Sequence, residues 1–148
     1  MSKSVKAAAL RYLKIRPRSI EELKEKLGGK GFSENEIETT VHDLIASKLL
    51  DDRAFTKSWI NYRLARPFGF RRIIQELRAK AVDQEIIDQA VAEIEGYSAE
   101  KAATELAQRR WQRLPDVEPD KKKKRVLDFL LRRGFDADIV MRVVKRLR

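Results

Sequence analysis

The sequence contains no cysteine and no long apolar run, and it has a single histidine. Without cysteine there is no disulfide framework, no thiolate nucleophile and no cysteine-ligated zinc or iron site, which suits a reducing cytosol. No stretch approaches the ~20 apolar residues that cross a bilayer. Lys3, Lys6 and Arg11 also interrupt the start of the chain, where a secretory signal needs an apolar core. These absences predict a cytoplasmic protein that does not enter a membrane.

Groups suited to catalysis are also scarce. His42 lies within a predicted helix, and no serine or cysteine is placed to pair with it as a nucleophile. The glycine-rich stretch 28–31 lacks the spacing of a phosphate-binding loop and follows a helix, so we interpret it as a helix end. Asp51 and Asp52 could hold a divalent cation, but two neighbouring carboxylates at a predicted helix start are more simply a cap. We expect no enzymatic activity, no metal and no cofactor.

What the sequence does contain is an internal repeat with a period of about 50 residues. Such a period is typical of stacked helical units that bury their apolar faces against one another. We predict an all-α fold of three tandem three-helix repeats, 1–50, 51–96 and 97–148, forming an extended, curved array. Residues that recur between the first two repeats are Tyr12 and Tyr62, Leu23 and Ile73, Leu27 and Leu77, Lys30 and Lys80, and Ile37 and Ile87.

Local signals place the helices within each repeat. In the first repeat they predict helices over 5–15, 19–27 and 33–48, with capping boxes at the second and third helices, where a serine is followed three residues later by a glutamate. Asp51 or Asp52 should cap the next helix, and 114–120 is predicted to be a loop. The capping-box pairs are Ser19 with Glu22 and Ser33 with Glu36.

The last helix of every repeat begins in the same way. An apolar residue, a cap and a second apolar residue four positions into the helix form a hydrophobic staple. The residue before the staple stands where a positive φ is common, so Ala81 should be strained. The staples are Phe32-Ser33-Ile37, Val82-Asp83-Ile87 and Phe135-Asp136-Val140, and we predict that the apolar faces continue through Val41, Leu44 and Ile45, through Val91 and Ile94, and through Val144 and Leu147.

The net charge is +10, and its distribution is uneven. The three predicted repeats carry +3, 0 and +7, so the excess lies in the third. A basic surface attracts nucleic acid or an acidic protein, although it can also serve solubility alone. The candidates for contact with phosphate or with an acidic partner are Arg63, Arg66, Arg71, Arg72, Arg78, Lys80, Arg109, Arg110, Arg113, Lys121, Lys122, Lys123, Lys124, Arg125, Arg132 and Arg133.

Aromatic residues lie among these cations. Phe68, Phe70 and Trp111 could stack on bases, although apolar packing is the commoner fate of aromatic residues at such spacing. A three-helix unit with a tight turn before its last helix also fits a helix-turn-helix, whose last helix enters the major groove. The last helices of the first two repeats have acidic exposed faces, which would repel phosphate. Only the third repeat, with Arg142, Lys145 and Arg146, fits that alternative.

Four sequence blocks, in order, resemble the RecX family of regulatory proteins. They are Leu50-Asp51-Asp52-x-x-Phe55; Trp59 and Arg63; Gly69-x-x-x-Ile73-x-x-Glu76-Leu77-Arg78-x-Lys80; and Phe129-Leu130-x-Arg132-Arg133-Gly134-Phe135. The resemblance covers nearly the whole chain, and it departs from the family at Ala81, where glycine is usual.

The resemblance implies a non-enzymatic, mainly negative modulator of the RecA recombinase. Such a protein binds the filament of RecA on single-stranded DNA and restrains its ATP hydrolysis, strand exchange and extension, in recombination, DNA repair and the SOS response. We expect a monomer that binds single-stranded DNA weakly by itself. The alternatives are a stand-alone helix-turn-helix DNA-binding protein that acts through the third repeat, and a helical scaffold for another acidic protein.

Overall fold

The computed structural model describes residues 4–66 and 68–148, and within these ranges the fold is built from nine α-helices without a strand. The all-α prediction is confirmed. None of the described helices is long and apolar enough to span a membrane. The helices are α1 (Val5–Ile15), α2 (Ile20–Gly29), α3 (Glu34–Ala46), α4 (Asp52–Ala65), α5 (Phe70–Ala79), α6 (Gln84–Ala92), α7 (Ala99–Arg113), α8 (Pro119–Arg132) and α9 (Ala137–Lys145).

The helices form two compact units that do not follow the order of the chain. The first unit comprises Met1–Trp59 and Leu77–Glu93, and the second comprises Ile60–Glu76 and Ile94–Arg148. Helices α4 and α5 therefore each contribute residues to both units. The boundaries of the three sequence repeats, at 50 and 96, stay a prediction.

The core of the first unit is formed where α1, α2 and α3 pack against one another. Leu23, Leu27 and Leu44 have no exposed surface, and each lies on the apolar stripe of its helix. The half-buried rings of Tyr12 and Phe32 pack against this cluster. Burial of a leucine side chain contributes about 1.5–3 kcal/mol, so these three leucines together stabilise the packing of the three helices by several kcal/mol.

The core of the second unit is formed by α7, α8 and α9. Val126, Leu130 and Val140 are fully buried, and Phe135 is 1% exposed. Trp111 and Phe129 pack against the edge of this cluster while remaining half-buried. Phe135 and Val140 belong to the predicted staple, which here lies within the core.

The structure confirms most of the predicted helix ends. Both capping boxes are present, at Ser19 with Glu22 and at Ser33 with Glu36. Ala81 has a positive φ of 57°, as expected of the residue before the staple. The N-caps predicted at Asp83 and Asp136 are also confirmed, although neither side chain accepts a hydrogen bond from its helix.

Three details of the predicted helices are wrong. Ile45 is 44% exposed, because the buried stripe of α3 runs through Ile37, Val41 and Leu44 and leaves Ile45 at its edge. Ile94 lies beyond the end of α6 at Ala92. The predicted loop 114–120 is shorter, because Pro119 occupies the first turn of α8, where its missing N–H costs no hydrogen bond.

Candidate functional site

Three arginine side chains of the second unit surround the ring of Phe68. The guanidinium carbons of Arg63, Arg72 and Arg133 lie 4.7, 4.7 and 4.8 Å from the ring centroid. A cation at this distance is attracted by the ring quadrupole, with about 0.5–1 kcal/mol for an exposed pair and about 2 kcal/mol for a desolvated one. Phe68 thus holds three like charges together.

A second ring extends this arrangement. The guanidinium carbons of Arg110 and Arg133 lie 4.9 and 5.2 Å from the centroid of Phe129. Arg133 therefore contacts both rings. We call this group the arginine–phenylalanine cluster, and it consists of Arg63, Phe68, Arg72, Arg110, Phe129 and Arg133.

A close approach of two glycines brings these residues together. The Gly69 N–H donates to the Arg133 carbonyl oxygen at 2.7 Å, and the Arg71 N–H donates to the Gly134 carbonyl oxygen at 3.2 Å. A Cβ atom on Gly69 would lie 2.3 Å from the carbonyl carbon of Gly134, and one on Gly134 would lie 2.4 Å from the Cβ of Arg72. Only glycine at both positions lets the start of α5 meet the turn between α8 and α9.

The electrostatics of the cluster are strongly positive. Arg63 forms an ion pair with Glu76. Among the described residues, no carboxylate oxygen lies within 4.0 Å of the guanidinium of Arg72. Burial lowers the pKa of Arg133, and the neighbouring charge of Arg72 lowers it further. The cluster therefore concentrates positive charge that its own side chains only partly neutralise.

Two of the candidate residues lie in the first unit and contact protein groups there. Lys80 donates to Glu22 at 3.0 Å, its Nζ lies 4.5 Å from the ring centroid of Trp59, and its side chain is 18% exposed. Arg78 Nε donates to the Gln84 side-chain oxygen at 2.8 Å. These contacts give Lys80 in particular a structural task, and a role of either residue in partner contact stays a prediction.

Lys80 belongs to a network centred on Glu22. This carboxylate also accepts from Arg16 at 2.6 Å and from the Ser19 backbone N–H at 3.1 Å. Burial raises the pKa of Glu22, but the hydrogen bonds from Arg16, Ser19 and Lys80 outweigh it and hold the pKa at about 2. The sequence indicates only the cap, because the pair with Lys80 spans 58 positions.

The remaining candidates lie on the second unit, and most are solvent-exposed. Arg66 is exposed, and its guanidinium carbon lies 4.0 Å from the Tyr62 ring centroid. Lys122 and Lys123 are half-buried, with the Lys122 Nζ 4.3 Å from the Trp111 ring centroid. The other exposed residues among these remaining candidates are Arg71, Arg109, Arg113, Lys121, Lys124, Arg125 and Arg132.

The aromatic residues that could have stacked on bases contact protein groups instead. Phe68 is surrounded by arginines, and Phe70 lies edge-on to Tyr97 with 5.4 Å between ring centroids. Phe129 was singled out in the sequence only as part of a family block, and neither its contacts with Arg110 and Arg133 nor the contact between Gly69 and Gly134 was predicted. A signal was present, because an Arg-Arg pair adjoins a Gly-Phe pair both at 69–72 and at 132–135.

Other sequence candidates have simple structural roles. His42 is exposed. Asp51 Oδ1 accepts from the Arg53 and Ala54 N–H groups and so caps α4, whereas Asp52 Oδ1 accepts from the Ile20 N–H at 2.8 Å. Within the ranges that the structure describes, no group of three His, Cys, Asp or Glu residues is arranged to hold a metal ion.

Comparison with known sequences decides the family. Three sequence models, described as the first, second and third three-helix domains of RecX, match residues 6–44, 51–91 and 98–144 in order. The chain belongs to the RecX family. The resemblance noted in the sequence is confirmed, and so is a fold of three three-helix RecX domains.

Individual RecX relatives agree over almost the full chain. "Regulatory protein RecX" of Amycolatopsis mediterranei is 33% identical over 144 residues, which cover 97% of this chain and 82% of the relative. The protein of that name from Mycobacterium sp. strain JLS is 34% identical over 143 residues, covering 93% and 78%. That from Prosthecochloris aestuarii is 30% identical over 142 residues, covering 94% and 90%. The chain is therefore a RecX-type regulatory protein.

Solved RecX structures share the fold. The crystal structure of RecX from Lactobacillus salivarius superposes with a TM-score of 0.81 at 24% sequence identity, over 97% of this chain and 94% of that one. A second crystal structure, of regulatory protein RecX, gives a TM-score of 0.82 at 22% identity, over 96% and 70%.

Proposed function

We propose that this chain is a non-enzymatic, monomeric, cytoplasmic regulator that binds the filament of a RecA recombinase on single-stranded DNA. It restrains the ATP hydrolysis, strand exchange and extension of that filament, in the context of recombination, DNA repair and the SOS response. Membership of the RecX family supports the choice of target, because the resemblance implies this activity.

The observation that carries the proposal is the arginine–phenylalanine cluster. Guanidinium groups bind phosphates and carboxylates through paired N–H donors. A filament offers both DNA phosphates and acidic protein surfaces, and arginines held on Phe68 and Phe129 lose little side-chain entropy when they bind either one. The cluster thus suits contact with a nucleoprotein better than an unstructured basic tail would.

The last helix of the third repeat supports a duplex-binding role less well. Arg146 donates to Glu100 at 3.0 Å, and Arg142 lies 3.7 Å from the other oxygen of the same carboxylate. A helix that enters a major groove needs its cations for phosphates and base edges. Pairing with Glu100 occupies two of the three cations that favoured the helix-turn-helix alternative.

The direct test is DNA-dependent ATP hydrolysis by the cognate recombinase on single-stranded DNA, with this protein titrated from far below to above the recombinase concentration. We expect inhibition at sub-stoichiometric amounts, because a regulator bound to a filament affects many protomers. Inhibition that begins only when the DNA is saturated would mean simple competition, and no effect at any ratio would overturn the proposal.

A charge-reversed variant makes the test specific to the site. Replacing Arg71 and Arg72 with Glu, or Arg132 and Arg133 with Glu, should weaken inhibition while helical content, measured by circular dichroism, stays unchanged. Unchanged inhibition by both double variants would contradict the assignment of the site and leave the target to be explained by other surfaces.

A further inference from the structure

A cleft of about 430 Å³ in the second unit lies beside the arginine–phenylalanine cluster. It is lined by three arginines, a glutamine and an exposed leucine, together with the glycine turn after α8. We call it the arginine cleft, and its lining residues are Arg71, Arg72, Gln75, Leu131, Arg132, Gly134 and Phe135.

The three arginines of the cleft have few internal partners. In residues 4–66 and 68–148, no carboxylate oxygen lies within 4.0 Å of Arg71, Arg72 or Arg132. A guanidinium has five N–H donors. Within the same ranges, Arg72 donates one of them, to the Arg132 carbonyl oxygen at 3.3 Å. The cleft therefore presents many donors and a high local positive charge.

The cleft is also held in shape by its surroundings. The Arg72 guanidinium lies against the ring of Phe68, and the backbone N–H of Arg71 donates a hydrogen bond to the Gly134 carbonyl oxygen. The contact between Gly69 and Gly134 fixes the start of α5, which carries Arg71, and the end of α8, which carries Arg132. A ligand that binds here needs little rearrangement of the backbone, and such preorganisation strengthens binding.

We infer that the arginine cleft binds a phosphate group of single-stranded DNA directly. Three arginines lining one cleft offer more N–H donors than the two coplanar oxygens of one carboxylate can accept, whereas a tetrahedral phosphate accepts hydrogen bonds in several directions. Leu131, 40% exposed at the same cleft, offers apolar surface to the adjoining sugar or base. This inference deepens the proposed function and rests on it for the setting in which the DNA is encountered.

The experiment uses the full chain without any recombinase. Binding to a fluorescein-labelled oligothymidylate of about 20 nucleotides is followed by anisotropy between about 50 and 200 mM salt. The test variant is Arg71→Gln with Arg132→Gln. The matched control is Lys101→Gln with Arg148→Gln, which removes the same charge from exposed positions of the same unit that are not among the candidate contact residues.

We expect the cleft variant to bind the oligothymidylate at least about tenfold more weakly than wild type, because each arginine–phosphate hydrogen bond is charge-assisted. The slope of log affinity against log salt should fall by about 0.7 for each phosphate that the variant no longer neutralises. The control should bind less than about threefold more weakly than wild type. Equal weakening in the two variants would mean diffuse attraction to a basic surface and would overturn the inference.

Competition identifies the ligand. Unlabelled oligothymidylate should displace the probe from the wild-type protein far better than ATP or an oligoglutamate of equal charge does. Displacement by ATP at lower concentration would assign the cleft to a nucleotide, and displacement by oligoglutamate as effective as by DNA would assign it to an acidic protein. Either result overturns the inference.

Nuclear magnetic resonance observes the arginines directly. In the isotope-labelled wild-type protein, arginine Nε–H signals should move when inorganic phosphate is added, and the signals of the cleft arginines should be missing from the variant.

The recombinase assay separates this inference from the proposed function. A wild-type protein that binds oligothymidylate through the cleft but fails to restrain ATP hydrolysis would overturn the proposed function alone. A wild-type protein that restrains hydrolysis while the cleft variant binds DNA as well as it does would overturn the cleft assignment alone.

Discussion

The two compact units gather positive charge in opposite ways. In the first, Arg16 and Lys80 meet at a carboxylate, Glu22. In the second, Arg72 and Arg133 meet at an aromatic ring, Phe68, together with the Glu76-paired Arg63. A carboxylate cancels charge, whereas a ring quadrupole attracts the cation without cancelling it.

This difference separates cations that maintain the fold from cations that can serve a partner. The Glu22 network joins residues 58 positions apart within its unit, and its side chains are mostly buried. In the arginine–phenylalanine cluster, Phe68 lies against the guanidinium of Arg72 without cancelling its charge. Counting basic residues in the sequence cannot distinguish the two cases, since Lys80 and Arg72 are equally cationic.

The largest effect should follow from closing the space between the two glycines of the second unit. In Gly69→Ala the new Cβ would lie 2.3 Å from backbone atoms of Gly134, which cannot rotate away. We expect the free energy of unfolding to fall by about 3 kcal/mol, because overpacking against backbone forces the turn apart. Urea unfolding followed by circular dichroism measures this decrease.

The control for that variant is Gly28→Ala within α2. A Cβ there has nothing within 4 Å, so alanine should stabilise the protein by up to about 1 kcal/mol through its higher helix propensity. Wild-type stability in Gly69→Ala would contradict the close approach from which the site is derived.

The next largest effect is expected when the Glu22 carboxylate of the first unit is replaced. The pKa of Glu22 falls from an ordinary 4.5 to about 2 in the folded protein. Its contribution to the free energy of unfolding is therefore complete above pH 4.5 and disappears as pH falls toward 2. Allowing for partial exposure, we expect Glu22→Gln to cost about 2 kcal/mol at neutral pH. The variant should also lose less stability than wild type between pH 4.5 and 2.

The matched variant is Glu36→Gln, which alters the exposed capping box of α3. Glutamine keeps an oxygen that can accept from the Ser33 N–H, so the decrease in stability should stay below about 0.5 kcal/mol. Equal decreases in the two variants would show that the ion pairs with Arg16 and Lys80 contribute nothing beyond the cap.

A smaller effect is expected when the ring of the second unit is removed. Phe68→Leu keeps an apolar side chain but removes the quadrupole that holds three guanidinium groups, so oligothymidylate affinity should fall about three- to tenfold. Phe70→Leu is the control, because its ring contacts Tyr97. Equal decreases of affinity in both variants would mean that aromatic packing in general, and not the contact with the arginines, supports binding.

The features that were predicted correctly from the sequence depend on neighbouring residues. The capping boxes at Ser19 and Ser33 and the positive φ at Ala81 arise from interactions within one helical turn. The N-caps at Asp83 and Asp136 were also predicted correctly, although neither side chain accepts a hydrogen bond from its helix, because residue type does not determine where a side chain points.

The site required contacts that no local pattern records. Arg133 reaches Phe68 and Gly69 meets Gly134 across more than sixty positions of the chain, so these pairs depend on tertiary packing. The sequence did indicate the relevant residues, since Phe68, Arg72 and Arg133 were all singled out. It could not show that ring and arginines contact each other.

The smallest effect is expected from the turn before the last helix of the second repeat, which can be compared with the same turn in the third repeat. Ala81 and Gly134 occupy equivalent positions, with φ of 57° and 92°. A left-handed conformation costs a residue with a Cβ roughly 1–2 kcal/mol, and the greater flexibility of unfolded glycine returns about half of that. Ala81→Gly should therefore stabilise the protein by about 0.5 kcal/mol in urea unfolding.

The control variant should change the free energy of unfolding in the opposite direction, so that even a small effect at Ala81 can be interpreted. Ala7→Gly, in the exposed face of α1, should destabilise by about 1 kcal/mol because glycine disfavours a helix. Decreased stability in both variants would mean that Ala81 is not strained. A gain at Ala81 alone would show that its turn tolerates either residue, whereas Gly134 must remain glycine because a Cβ there would lie 2.4 Å from the Cβ of Arg72.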